Sequence, residues 1–275
     1  MTGIHSPKTI NDLVKLVAKH GKHAFFISGV DPSTDRVPNG KVVIDIGNIG
    51  PLNTIEVAKD KIVIGTGLNL GRVSREASGE NGLLRQSASL IANPLVRNRI
   101  TFLQSLDPDS PYFDVTTPLV LLDAKIRLQS PTGKRTVAIR EYLESLEKGR
   151  KKGEIPTYVE FTKLPANEKV GFFRIARTNG KGTVSAAARM KLIRSICKDP
   201  EVVVSSLSLI PLRTKLAEKE INAKPASEDS IKKASVLAAN EILSLGDSKN
   251  TYERSLVEIA VARTLRTIME GSIPV

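Results

Sequence analysis

The 275-residue sequence has one cysteine, Cys197, three histidines and no tryptophan. A lone cysteine cannot close an internal disulfide, and it cannot hold an iron–sulfur cluster or a cysteine-rich zinc site. His5, His20 and His23 all fall near the N-terminus, so a histidine-based triad or metal set would have to be built from one short segment. His20 stands at an expected helix C-terminus, where a cation is favourable without any further role. Aromatic residues are 4% of the chain, which leaves few rings for stacking bases. No apolar run approaches the ~20 residues needed to cross a bilayer. Met1 to Lys22 has no continuous apolar segment ending in a small-residue cleavage site, so no secretory signal is expected and a cytoplasmic setting is the default.

What the chain does have is basic charge: 41 Lys and Arg against 29 Asp and Glu, a net +12. Such an excess attracts phosphate, nucleic acid or an acidic partner. The charge is scattered, with its densest cluster at Lys148, Arg150, Lys151 and Lys152. With so few aromatics, this argues for a basic soluble surface or one complemented by an acidic subunit, and against nucleic-acid binding. The 40% hydrophobic content is that of a folded soluble protein.

Periodicity gives an α+β reading. Ile10, Leu13, Val14, Leu16 and Val17 have helical spacing over Thr9 to His20. His23 to Val30 and Lys41 to Ile46 read as strands, and Asn53 to Leu70 as two more. Gly71 to Ile91 reads as helix broken at Gly79 and Gly82. Asn93 to Asp114 reads as loop. Leu119 to Leu128 reads as a strong strand, followed by a turn, the strand Arg135 to Ile139 and a short helix over Glu141 to Leu146. The charged Lys148 to Glu154 stretch reads as a boundary. Beyond it, Thr157 to Lys163, Val170 to Arg177, Thr183 to Ile193 and Glu201 to Ile210 read as antiparallel strands, although Ser185 to Arg189 also suits a helix. Asn179-Gly180 is a hairpin signal. Two helices follow, from Ser227 to about Leu245 and from Tyr252 to Met269. The expected domains are 1–150, with two subdomains split near 50–55, and 151–275, an antiparallel sheet plus helices.

No catalytic set emerges from the motifs. Gly65, Gly67 and Gly71 in IVIGTGLNLG resemble a dinucleotide fingerprint, but the third glycine is one position late. Arg85 and Gln86 stand where an acidic ribose-binding residue is needed. Gly180-Lys181-Gly182-Thr183 resembles a P-loop, but Ile175 replaces its leading glycine, and the hairpin reading is preferred. Asp107, Asp109 and Asp114 share a loop without the central glycine and terminal glutamate of a calcium site. Cys197 reads as a buried structural thiol. Two loops remain, Ser28 to Ser33 and Arg97 to Asp114. Each follows a hydrophobic segment, and each could be an ordinary surface loop or could offer backbone N–H groups to a phosphate.

The order of segments resembles the FAD-binding medium subunit of the molybdenum hydroxylases, the family of the carbon monoxide dehydrogenase medium chain and the xanthine dehydrogenase flavin domain. The resemblance is carried by FFISGVD, by VVIDIGNIGPLNTIEVAKDKIVIGTGLNL and by ANPLVRNRITFLQSLDPDSPYFDVTTPLVLLDAKIRL. FFRIARTNG and the helix with Tyr252, Arg254 and Arg263 extend it to nearly the whole chain. It implies a two-lobed FAD-binding domain of PCMH type, then a smaller domain of antiparallel strands and helices. It further implies an oxidoreductase subunit that passes electrons from an iron–sulfur small subunit to an acceptor, beside a molybdopterin-binding large subunit. The alternative within the same family is a flavin-less scaffold or interaction homologue.

The resemblance also assigns the FAD contacts. The main chain of Ser28, Gly29, Val30 and Asp31, and of Thr101, Leu103, Gln104 and Ser105, would face the pyrophosphate. The Asp114 carboxylate would accept from the ribityl hydroxyls. In the first loop, Ser28 stands where the family has glycine, Gly29 is retained and Val30 replaces threonine. In the second, Thr101 is kept while Phe102, Leu103, Gln104 and Ser105 replace Ile-Gly-Gly-Asn. Side chains in place of these glycines predict weakened or altered FAD binding. If Ser28 or Leu103 had to adopt positive φ, each would cost about 1–3 kcal/mol.

Overall fold

The computed structural model describes residues 4–28, 39–77, 82–108, 110–147, 153–176, 182–206, 210–244 and 251–270. Helix α1 (Ile10–His20) forms because Thr9 caps it, its side chain accepting from the Asp12 amide at 3.1 Å, and because Leu13, Val14 and Val17 share one buried face. Gly21, at φ +54, stops it. Strands β1 (Ala24–Ile27) and β2 (Val42–Asp45) pair in parallel, and His5 adds a further backbone bridge to β2. Together they enclose a small core of Leu13, Val14, Val17, Ile44, Ile46, Ile49 and Leu52.

A five-stranded antiparallel sheet forms the second body, built from β3 (Ile55–Val57), β4 (Lys61–Gly65), β5 (Lys125–Ser130), β6 (Gly133–Ala138) and β7 (Ile155–Thr162). The spatial order is β3-β4-β7-β5-β6. Thus β7, which follows the expected division at 150, runs between β4 and β5. Helices α2 (Leu70–Glu76), α3 (Leu83–Leu90), α6 (Thr116–Leu121) and α7 (Ile139–Glu147) belong to this body, and Leu70, Leu84, Leu119 and Leu143 share its core.

A four-stranded antiparallel sheet follows: β8 (Glu168–Ala176), β9 (Gly182–Ile193), β10 (Ile196–Ser205) and β11 (Leu212–Arg213), ordered β11-β10-β9-β8. Its alternation explains how it is buried on both faces. Ala187 and Val203 join the core of the five-stranded body, while their neighbours Ala186, Ala188, Val202 and Val204 face a second core. That second core is closed by α8 (Lys215–Ile221), α9 (Glu228–Ser244) and α10 (Thr251–Glu270). Ser185 to Arg189 is strand throughout.

Two expectations need correction. Leu119 to Leu128 is not one strand. The chain is helical through Leu121, and β5 begins at Lys125. A continuous apolar run carries no period with which to tell the two apart. Asn93 to Asp114 is not simple loop: it holds the short helices α4 (Pro94–Arg97) and α5 (Phe102–Ser105) and a 3-10 turn, Phe113–Val115. Asn93 caps α4, with Pro94 at its first position. The periodicity reading also passed over α8. Gly79, Asp109, Asn179, Gly180 and the Lys148 to Lys152 cluster lie outside the described residues.

Candidate FAD site

The fold gathers three of the expected site segments. Helix α5 packs against β1, whose end leads into Ser28, and against the 3-10 turn that carries Asp114. Ser28 is half-buried, and Gly29, Val30 and Asp31 lie outside the described residues.

The Thr101–Ser105 stretch is the best defined part, and its backbone is fully engaged. Thr101 caps α5 in a reciprocal box. Its Oγ1 accepts from the Gln104 amide at 3.0 Å, while Gln104 Oε1 accepts from the Thr101 amide at 2.8 Å. The Phe102 amide donates to the Leu68 carbonyl at 2.6 Å, and the Leu103 amide to the Thr66 carbonyl at 2.8 Å. The Ser105 amide donates to the Thr101 carbonyl at 3.2 Å. All five N–H groups therefore have acceptors inside the protein. Leu103 has helical backbone, and neither it nor Ser28 has positive φ, so the anticipated backbone strain is absent from both. The Leu103 side chain is 5% exposed and sits in the α1–β2 core, whereas Phe102 is buried in the larger core. The turn thus joins two hydrophobic bodies. Thr101→Ala removes half of the box and leaves the Gln104 amide without its acceptor. A loss of about 1 kcal/mol is expected in equilibrium urea unfolding.

Asp114 is buried, and its carboxylate is held by Arg174 of β8. Arg174 donates through Nε at 2.9 Å to Oδ2, with Nη2 at 2.7 Å from the same oxygen, and Nη1 reaches the Leu90 carbonyl at 3.2 Å. Burial pushes the Asp114 carboxyl above its ordinary range, and Arg174 opposes that rise. A ribityl hydroxyl would share this carboxylate with the guanidinium. Arg174 falls within FFRIARTNG but received no role there, because it stands 60 positions from Asp114 with nothing local to pair the two.

The glycines of the dinucleotide-like run serve packing instead. A Cβ on Gly65 would lie 2.3 Å from the Leu52 carbonyl oxygen, and one on Gly67 would lie 3.0 Å from it. β4 is antiparallel to both neighbours, so the strand–turn–helix of a parallel βαβ unit is not formed. Cys197 is buried, and burial pushes its thiol up, as befits an inert side chain. His20 is pulled down, chiefly by burial and then by Lys19, His5 and His23. Among the described residues no group of three or more His, Cys, Asp or Glu side chains could hold a metal.

The sequence profile described as "FAD binding domain in molybdopterin dehydrogenase" matches residues 1–163. The chain belongs to that family. The molybdopterin dehydrogenase FAD-binding family also accounts for the curated relatives. One is the 6-hydroxypseudooxynicotine dehydrogenase complex subunit alpha of Paenarthrobacter nicotinovorans, 23% identical, with 97% of this chain and 94% of that protein covered. Another is the glyceraldehyde dehydrogenase medium chain of Sulfolobus acidocaldarius, 21% identical, with 85% of each covered. In fold, the chain is similar to quinoline 2-oxidoreductase from Pseudomonas putida 86, with a TM-score of 0.82 at 17% identity, covering 100% of this chain and 99% of that one. It is also similar to a chain of the Cu,Mo-CO dehydrogenase, with a TM-score of 0.80 at 19% identity, covering 98% and 99%. The fold is therefore the α+β fold of this family along the whole chain.

Membership supports FAD as the cofactor and an oxidoreductase medium subunit as the type of protein. The described residues of the second loop do not fit the expected mode of holding it. A diphosphate bound by main-chain amides needs free N–H groups, and Thr101 to Ser105 present none.

Proposed function

We propose that this chain is the medium subunit of a molybdenum hydroxylase-type dehydrogenase, assembled with a molybdopterin-binding large subunit and an iron–sulfur small subunit. The observation that carries this reading is the match along the whole chain. Residues 1–163 fit the family profile, and the C-terminal sheet and helices continue the fold likeness to 98–100% of the chain. Relatives named as a medium chain, a medium subunit and a subunit of a dehydrogenase complex support it. A single cysteine accords with metal centres carried by the partners. The finer role in this reading is to receive electrons from the iron–sulfur subunit and deliver them to an acceptor. A cytoplasmic location belongs to the same reading. Among the described residues no helix is long and apolar enough to cross a membrane.

The closed α5 turn favours a second reading, a flavin-less homologue that keeps the assembly role. Purification of the tagged chain from its native cell, followed by mass spectrometry, tests the first. Co-purification of a large molybdopterin chain and a cysteine-rich small chain is expected. Recovery of the chain with neither partner overturns the assignment.

A further inference from the structure

We propose that the Thr101–Ser105 turn holds no part of the FAD diphosphate and is instead a fixed staple between the two cores of the FAD-binding domain, so that the chain retains FAD weakly. This rests on the medium-subunit reading and goes beyond it by assigning the second loop a different job.

Three independent observations carry it. The first is the hydrogen-bond census. Two of the five amides are closed by the reciprocal Thr101–Gln104 box, two by the carbonyls of Leu68 and Thr66, and one by the first turn of α5 itself. A phosphate oxygen would have to displace an acceptor already at hydrogen-bond distance. The second is the placement of Leu103. Where the family pattern has a glycine, this side chain lies in the core with Leu13, Val14, Ile44 and Leu52. A turn that opened towards a ligand would have to withdraw it, exposing apolar surface. The third is Asp114, whose Oδ2 is committed to Arg174 in a pair nine-tenths buried on both sides. That clamp fixes the 3-10 turn against which α5 packs. Gln104 contributes through its side chain: where a glycine would leave the Thr101 amide open, Gln104 Oε1 occupies it.

The test measures flavin by visible absorbance, on the full chain reconstituted with excess FAD and on the complex purified from the native cell, each after gel filtration. The expected result is a flavin content well short of one per chain in both. One FAD per chain retained through gel filtration overturns the proposal, whichever partners are present. Partner identity is read separately by mass spectrometry, so failure of the subunit reading is not confused with failure here. A Leu103→Gly/Gln104→Gly variant, with its fold checked by circular dichroism, restores both glycines and frees the Thr101 amide. It is expected to bind FAD about tenfold tighter in a fluorescence-quenching titration, as one recovered charge-assisted hydrogen bond would give. A folded variant that binds no more tightly than the parent also overturns the proposal.

Discussion

Replacing Arg174 with alanine is expected to cost about 3–5 kcal/mol in equilibrium unfolding, because it leaves the Asp114 carboxylate buried without its partner. Both side chains are about nine-tenths buried, so solvent screening does little to soften the loss. The same change removes the donor to the Leu90 carbonyl. The pair ties the turn before α6, which carries Asp114, to β8, which carries Arg174. Replacing both residues by apolar side chains of similar volume, Asp114→Leu with Arg174→Met, is expected to recover most of the loss. A buried ion pair pays heavily for desolvation and adds little net stability over a packed apolar pair. A double variant as unstable as Arg174→Ala alone would show that the guanidinium contributes through something other than the carboxylate.

The same pair sets a pH signature. In the native protein the Asp114 carboxyl lies above its ordinary value, since burial outweighs the pull of Arg174. Between the ordinary carboxylate value and that raised one, the native chain binds more protons than the unfolded chain. Stability from this group therefore falls as pH rises through that window, and is level above it. Without Arg174 the carboxyl rises further and the window extends upwards. The destabilisation of Arg174→Ala should accordingly be small in acid, where Asp114 is protonated, and grow towards neutral pH. Urea midpoints across that range check it, and a pH-independent difference would rule out Asp114 as the origin.

How much of this was legible in the sequence depended on whether the signal was local. Helix α1 could be read from Thr9 and the spacing of Leu13, Val14 and Val17, whereas β9, apolar on both faces, shows no alternation over Ser185 to Arg189 and there also suits a helix. The reciprocal cap at α5 was also legible in principle, since Thr101 and Gln104 have the spacing of a capping box. The prolines at Pro94, Pro108 and Pro111 mask it with the signature of a loop. The Asp114–Arg174 pair had no such signal, because only the docking of β8 against the helices brings the residues together. The place of β7 between β4 and β5 was equally non-local: a strand's sequence names its faces and not its neighbours.

Gly65 separates packing from phosphate binding most sharply. Gly65→Ala is expected to cost about 3 kcal/mol, at the upper end for overpacking, and to lower the melting temperature by roughly 6–12 °C. The new methyl would meet the backbone of Leu52, at 2.3 Å from its oxygen and 2.5 Å from its carbonyl carbon. Neither side can yield easily. Gly65 donates to the Thr54 carbonyl and is paired with Tyr158 across the sheet, while the Leu52 carbonyl also accepts from Gly67. Gly71→Ala should do less harm. Its nearest obstacle, at 2.1 Å, is the end of the Asn98 side chain, which can swing aside. Gly50→Ala, with nothing within 4 Å, should be close to neutral. This ranking by calorimetry, Gly65 above Gly71 above Gly50, follows from contacts within the protein alone. If these glycines instead let a nucleotide approach the backbone, Gly65→Ala and Gly71→Ala would leave the melting temperature of the ligand-free chain unchanged and reduce only the stabilisation gained on adding the nucleotide.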